Sequence, residues 1–278
     1  MGVAGGDRYR EMAEATTILR APAGSTIHGL HLGGTDDRDE MGVCLEDIGA
    51  AIGFCEFEQY IYRSAAAREG KHDAPSQPGD LDLTIYSLRK FLRLAMQGNP
   101  TVVTLLYVPF GQCVVQDARG AQLQELAPSI VSRQAGRRYL GYLESQRQRL
   151  VGERGQKRGN RPELEERFGF DTKYAMHILR LGYQGVELLE TGRLTLPMPE
   201  PTRQHVRDVR EGRVSLNAVL SEAGDLERQL KDLLMSSPLR DEPDVERVEA
   251  WMLSMYLENW KAHDESWRNV RRVSESRS

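Results

Sequence analysis

The sequence predicts an α+β fold: a mixed sheet flanked by helices over residues 1–128, followed by an all-helical domain over residues 129–278. Three observations carry this. Short runs rich in strand formers fall before residue 128, turn formers punctuate that half densely, and the 3.6-residue apolar period dominates after it. In order, residues 7–22 read as a short helix and a strand closed by Pro22. Gly24-Ser25 opens a short helical stretch, and Gly33-Gly34-Thr35-Asp36 is a loop of turn formers. Residues 39–45 form a strand, and residues 64–80, with Gly70, Pro75, Ser76, Pro78 and Gly79, read as a mobile loop. Leu81–Tyr86 alternates as a strand. Ser87 then caps a helix whose Leu88, Phe91, Leu92 and Ala95 share one face. Gly98-Asn99-Pro100 stops it, since proline cannot continue a helix, and Val102–Val108 is a further apolar stretch.

In the second half a helix spans residues 132–151 and a Gly/Arg loop spans 154–161. Pro162 occupies the first turn of the next helix, and Asp171 caps an amphipathic helix over Lys173–Leu181. Ser215 caps another, over Ser215–Leu234, with Leu216, Val219, Leu220, Leu226 and Leu230 on its apolar side. A last amphipathic helix covers Val245–Trp260, and the polar tail Ser274–Ser278 reads as disordered.

Composition narrows the function classes. Of the 278 residues 40% are hydrophobic and 28% charged, a soluble globular balance with length enough for a proper core. The net charge of −4 means that any nucleic-acid contact comes from a local basic patch, because proteins that grip long nucleic acid unselectively are basic. Cys44, Cys55 and Cys113 have no metal-ligand spacing and read as reduced thiols of a cytoplasmic protein. No apolar run suits a membrane span or a signal peptide, and nothing marks an oligomeric state.

The chemistry concentrates in three aspartates. Gly24 permits a close approach of backbone to a phosphate, and Ser25 adds a hydroxyl. Residues two apart on a strand share a face, so Asp37 and Asp39 place two carboxylates side by side. Such a pair favours hard divalent cations, which phosphoryl transfer needs. Asp82 on the Leu81–Tyr86 strand is positioned to add a third carboxylate. By itself this pattern also fits a polar turn with a capping aspartate.

The blocks GSTIHGL, GTDDRDEMGVCLE and GDLDLTIYSLRKFLRLAMQGNP decide between these readings. Together they resemble predicted nucleotidyltransferases of the DNA polymerase β superfamily of bacteria and their phages. The matching residues are Gly24-Ser25, His28-Gly29, Asp37-Arg38-Asp39, Gly42-Val43, Asp82 and Tyr86-Ser87-Leu88-Arg89-Lys90-Phe91, and the resemblance continues through FDTKYAMHILRLGYQGVELLETG. It implies a polymerase β-like catalytic domain with Asp37, Asp39 and Asp82 as catalytic residues and ligands of Mg²⁺ or Mn²⁺. Arg38 departs from the aliphatic residue usual between the two aspartates, and pairing with Glu40 or Asp36 on the opposite face would accommodate it. Asp36 is one residue out of phase with Asp39 on a strand, and Asp80 fits the family's Asp-x-x-x-Tyr spacing less well than Asp82.

Several basic groups are candidates for holding the nucleotide. Arg63 and Arg68 flank the loop before the Asp82 strand, where loop arginines give bidentate phosphate contacts or remain solvated. Of Arg89 and Lys90 one is a candidate to lean toward the site, while Lys90 reads rather as a solvated helix residue. Lys173, His177 and Arg180 stand at i, i+4 and i+7 and share a helical face, which the resemblance marks as an Asp-x-Lys-Tyr-x-x-His block. That stripe faces a phosphate or acceptor, or pairs structurally with Asp171 or Glu187. Between Arg133 and Arg161 nine basic residues are interleaved with Tyr139 and Tyr142, a composition suited to RNA as well as to a solvated helix face.

The expected function is transfer of a nucleoside monophosphate from a nucleoside triphosphate to a hydroxyl of an RNA end, a protein or a small molecule. The alternative is a catalytically silent nucleotide- or RNA-binding module, and a pure scaffold would bind neither nucleotide nor metal. The leading reading requires the strands of Asp39 and Asp82 to be neighbours, with the stripe of Lys173, His177 and Arg180 across a cleft from them.

Overall fold

The computed structural model describes residues 6–32, 38–54, 57–70, 77, 79–152 and 161–275. Helix α1 (Gly6–Ala15) leads into β1 (Thr17–Pro22), followed by α2 (Gly24–Ile27), β2 (Arg38–Cys44), α3 (Ile48–Ile52), β3 (Gln59–Arg63), α4 (Ser64–Glu69) and β4 (Leu81–Ser87). Next come α5 (Leu88–Met96), α6 (Pro100–Thr104), the two-residue β5 (Val115–Gln116), α7 (Ala118–Glu125) and α8 (Ala127–Ile130). The rest is helical: α9 (Arg133–Leu150), α10 (Pro162–Phe168), α11 (Thr172–Thr191), α12 (Thr202–Arg210), α13 (Leu216–Ser236) and α14 (Val245–Glu275). The chain is thus α+β with a mixed sheet, as expected.

Local chemistry sets many boundaries. Ser87, Ser132, Asp171 and Ser215 each accept a hydrogen bond from a first-turn backbone N–H of the helix that follows. Asn99 caps α6 with Pro100 in its first turn, so Val102–Thr104 are helical although apolar enough for a strand. Ser64–Glu69, read as part of a loop, form α4 instead, because Ala65–Ala67 favour helix and Gly70 closes it in the left-handed conformation. Helix α11 outruns the expected Leu181 because Val186, Leu188 and Leu189 are buried as well, and α14 outruns the expected Trp260. Strand β5, with its two residues, and the edge strand β3 exist through pairing more than through local pattern.

Among the described residues five strands run in the order β3-β4-β2-β1-β5. Only β2 and β4 pair in parallel; the other neighbours are antiparallel. One sheet face buries Cys44, Leu83 and Ile85 against Ala13 of α1 and Phe57. Met41 and Val43, on the other face, join a core with Phe91, Tyr139, Leu181 and Met255. That core therefore spans the sheet, α5, α9, α11 and α14. Helices α9, α11 and α13 approach closely: a side chain at Gly185 of α11 would collide with Tyr139 and Leu230. Tyr139 is fully buried there, so of the two tyrosines read as interleaved with basic residues only Tyr142 is exposed.

A buried tyrosine ties α14 to the end of β2. The Tyr256 hydroxyl donates to Glu46 Oε1 at 2.8 Å and accepts from the Arg89 N–H at 3.1 Å. Burial pushes the Glu46 carboxyl up, and this hydroxyl is among the groups that pull it back. Tyr256→Phe should cost about 1–3 kcal/mol, the scale of an unsatisfied buried acceptor. Urea denaturation measures this, and an unchanged midpoint would show that this hydroxyl contributes nothing to holding α14.

Candidate active site

Parallel pairing places Asp39 of β2 directly opposite Asp82 of β4. Alternation then puts both carboxylates on the face that carries Met41, Val43, Thr84 and Tyr86. Gly24 fits against them: its φ is +59°, and a Cβ there would run into the Asp39 carboxylate. The backbone holds this approach, as Ala23 N–H donates to the Asp39 carbonyl at 2.9 Å. Glu40, one residue on, turns to the opposite face and is buried between Arg20 and Arg38, each 2.5 Å away. Arg38 is thereby directed to Glu40, in the manner that its departure from the usual aliphatic residue required. Asp37, Asp36 and the rest of 33–37 lie outside the described residues.

Arg63 ends β3 in register with Asp82, with its Nε 3.3 Å from the carboxylate. Arg68 is engaged elsewhere: its guanidinium is 2.7 Å from Asp80. Asp80 also accepts from Ser64 Oγ and Gln77 N–H, and the Arg68 guanidinium first, then these two, hold its carboxyl below the usual carboxylate range. This cluster pins the entry to β4 and accounts for Asp80 as a structural residue. Lys90 bonds Glu58 at 2.8 Å and is also spent structurally.

Asp39, Asp82, Arg63 and Gly24 line a cleft of about 360 Å³ that also touches Tyr86 and Thr101. A second cavity of about 110 Å³ adjoins it, sharing Ala23, Gly24, Met41 and Thr101. His28, His177 and Arg180 form its far wall. Two residues of the basic stripe thus stand across from the carboxylate strands. Lys173 lies one turn before His177, half-buried, its charge acting on the imidazole.

Neither structural pairing weighed for the stripe forms. Asp171 accepts from the Tyr174 N–H and lies 3.3 Å from Arg161, and Glu187 accepts from Thr195. Arg180 Nη1 instead lies 3.0 Å from His28 Nε2 and donates to Gln184 Oε1 at 2.9 Å; Gln184 Nε2 lies 3.0 Å from His28 Nδ1. His28 and Gln184 were not singled out as site residues. The His28-Gly29 block was a signal for the first, but 152 residues separate His28 from Arg180.

The donor set suits a hard divalent cation, being two adjacent carboxylates with a glycine backbone beside them. Among the described residues no three carboxylate, imidazole or thiol side chains gather as a complete metal site. No described helix is long and apolar enough to cross a membrane.

A sequence model of the RNA repair pathway DNA polymerase beta family, RlaP, matches residues 7–254. No curated protein matches. Among solved structures, a nucleotidyltransferase-like protein from Exiguobacterium sibiricum 255-15 is similar at 11% identity and a TM-score of 0.29, covering 84% of this chain and 75% of that one.

The far wall has a titration signature. Burial, then Arg180, Lys173, Arg161 and Arg210, push His177 down to about 3. The folded protein keeps it neutral, whereas the unfolded chain binds a proton below about 6.5. Its contribution to stability is complete above about 6.5 and is lost as pH falls from there toward 3. His177→Gln should flatten the acid-side decline by up to about 1.4 kcal/mol per pH unit. Urea denaturation from pH 7 to 4 compares the slopes, and equal slopes would place the imidazole in solvent.

Proposed function

The chain belongs to the RNA repair pathway DNA polymerase beta family, and on that premise we propose that it moves a nucleoside monophosphate from a nucleoside triphosphate to a hydroxyl acceptor, releasing pyrophosphate. One observation carries the reading: Asp39 and Asp82 sit in register at a cleft whose floor is completed by Gly24. A polar turn with a capping aspartate would not align two carboxylates from strands some forty residues apart.

Asp37, Asp39 and Asp82 are the proposed ligands of two Mg²⁺ or Mn²⁺ ions. Such ions neutralise phosphate charge and lower the pKa of the attacking hydroxyl. Asp82 takes the proton of the acceptor hydroxyl. Gly24 and Ser25 hold the reacting phosphates through close backbone approach. Arg63 already lies 3.3 Å from Asp82, so it is placed to meet a phosphate beside that carboxylate. Arg68 acts at one remove, by holding Asp80 and the start of β4. Lys173, His177 and Arg180 face the triphosphate or acceptor from α11. The family's description favours an RNA end as acceptor, with protein and small-molecule hydroxyls as the other arms of the test.

Transfer of label from each α-labelled nucleoside triphosphate to RNA, protein and small-molecule fractions tests this. Label should appear on RNA in the presence of Mg²⁺; labelled nucleotide that binds but is never transferred would leave a silent binding module. Asp39→Asn should lower transfer by more than about 100-fold with an unchanged or raised melting temperature, since removing one of two adjacent like charges relieves repulsion. Undiminished turnover would rule Asp39 out as a ligand. Lys173→Ala should raise KM or lower kcat by about 10- to 100-fold, the scale of one charge-assisted contact. Steady-state kinetics with both parameters intact would make Lys173 a bystander.

A further inference from the structure

Arg180 is, among the described residues, a buried cation without a carboxylate beside it. It is 9% exposed, and among the described residues no carboxylate pairs with it. Its Nη1 is engaged by His28 and Gln184, both uncharged, while its Nε has no acceptor. Burial lowers its pKa, opposed by Tyr139. An uncompensated buried charge is among the costliest features a fold can carry. Here the guanidinium borders a cavity, so a ligand can supply the missing charge.

The cavity fits an oxyanion. At about 110 Å³ it has room for a few waters or one tetrahedral phosphoryl group. Thr101 and Thr104 join Arg180, His28 and His177 in its lining, and Pro22 and Leu105 add an apolar rim. Both imidazoles are shifted toward the neutral form, His28 well below its usual range by burial. Arg180 is therefore the lining group that carries charge at neutral pH. Gly24 belongs to this cavity and also abuts Asp39, which places an anion here next to the reacting end of the cleft.

We propose that this cavity binds the terminal phosphate of a substrate, with Arg180 as its counter-charge and His28 and Gln184 as the side chains that aim the guanidinium. The phosphate belongs either to the nucleoside triphosphate or to a phosphorylated RNA end. The identity of those ligands rests on the nucleotidyl-transfer reading; the anion site does not.

Thermal melting of the full chain in EDTA tests it, alone and with inorganic phosphate, ATP, adenosine, or a short RNA with and without a terminal phosphate. Ligand that binds only the folded state raises the melting temperature. Inorganic phosphate should raise it, ATP more than adenosine, or phosphorylated RNA more than its hydroxyl-ended counterpart; the larger of these two differences names the source. Arg180→Met should melt at the same temperature or higher, because a lone buried charge is gone, yet lose the phosphate response with affinity weakened at least about 10-fold. His28→Gln should weaken the response in part while leaving Arg180 charged. A wild-type protein indifferent to every phosphate overturns the proposal, as does an Arg180→Met protein with the full response. If Arg180→Met does not fold, the wild-type panel and His28→Gln decide. A phosphate response without transfer to any acceptor sinks only the proposed function; transfer without a phosphate response sinks only this inference.

Discussion

The parallel pairing of β2 with β4 is the constraint on which the rest of the site depends. It sets Asp39 beside Asp82 across one strand spacing, about 4.8 Å. Two carboxylates at that distance repel by on the order of 1–3 kcal/mol at the edge of a protein. The fold tolerates this through an arginine at the end of β3 and through an open cleft on the same face. Neighbouring charges are drawn off. Glu40 goes to the opposite face between two arginines, and Asp80 goes to Arg68 at the strand entrance. Beside Gly24, Asp39 and Asp82 stand in register, a donor set suited to a hard cation.

The helical half is joined to this sheet by a shared core. Met41 and Val43 of β2 belong to the same apolar cluster as Tyr139, Leu181 and Met255. Burying those residues fixes where α11 runs, and α11 in turn carries His177 and Arg180 to the far side of Gly24. The site thus has two walls of opposite character. One presents carboxylates on strands; the other presents a guanidinium oriented by His28 and Gln184 on a helix. A ligand with both metal-binding and terminal phosphates matches that division.

Much of this was legible locally. The caps at Ser87, Ser132, Asp171 and Ser215 fix helix starts through a single side-chain oxygen, so short sequence windows reveal them. The strand of Asp82 was readable from alternation, and the choice of Asp82 over Asp80 from the spacing to Tyr86 that the resemblance implies. Strand β3 was missed because a five-residue edge strand earns its conformation by pairing with β4. The helix α4 was hidden inside a stretch dominated by Gly and Pro. Lys90 reads in sequence as a solvated helix residue, and only the fold brings Glu58, thirty-two positions earlier, beside it.

By itself the sequence determined which residues have the chemistry and which face of each element they occupy. Periods of 2 and 3.6 residues and capping bonds act within a few positions, so they are encoded where they operate. The tertiary structure alone decided which group each charge meets. Arg180 finds His28 and Gln184 in place of Asp171 or Glu187, and Arg68 finds Asp80. Such outcomes depend on contacts between segments up to 152 residues apart. They follow from how whole elements bury their apolar faces, and no local pattern in the chain records that.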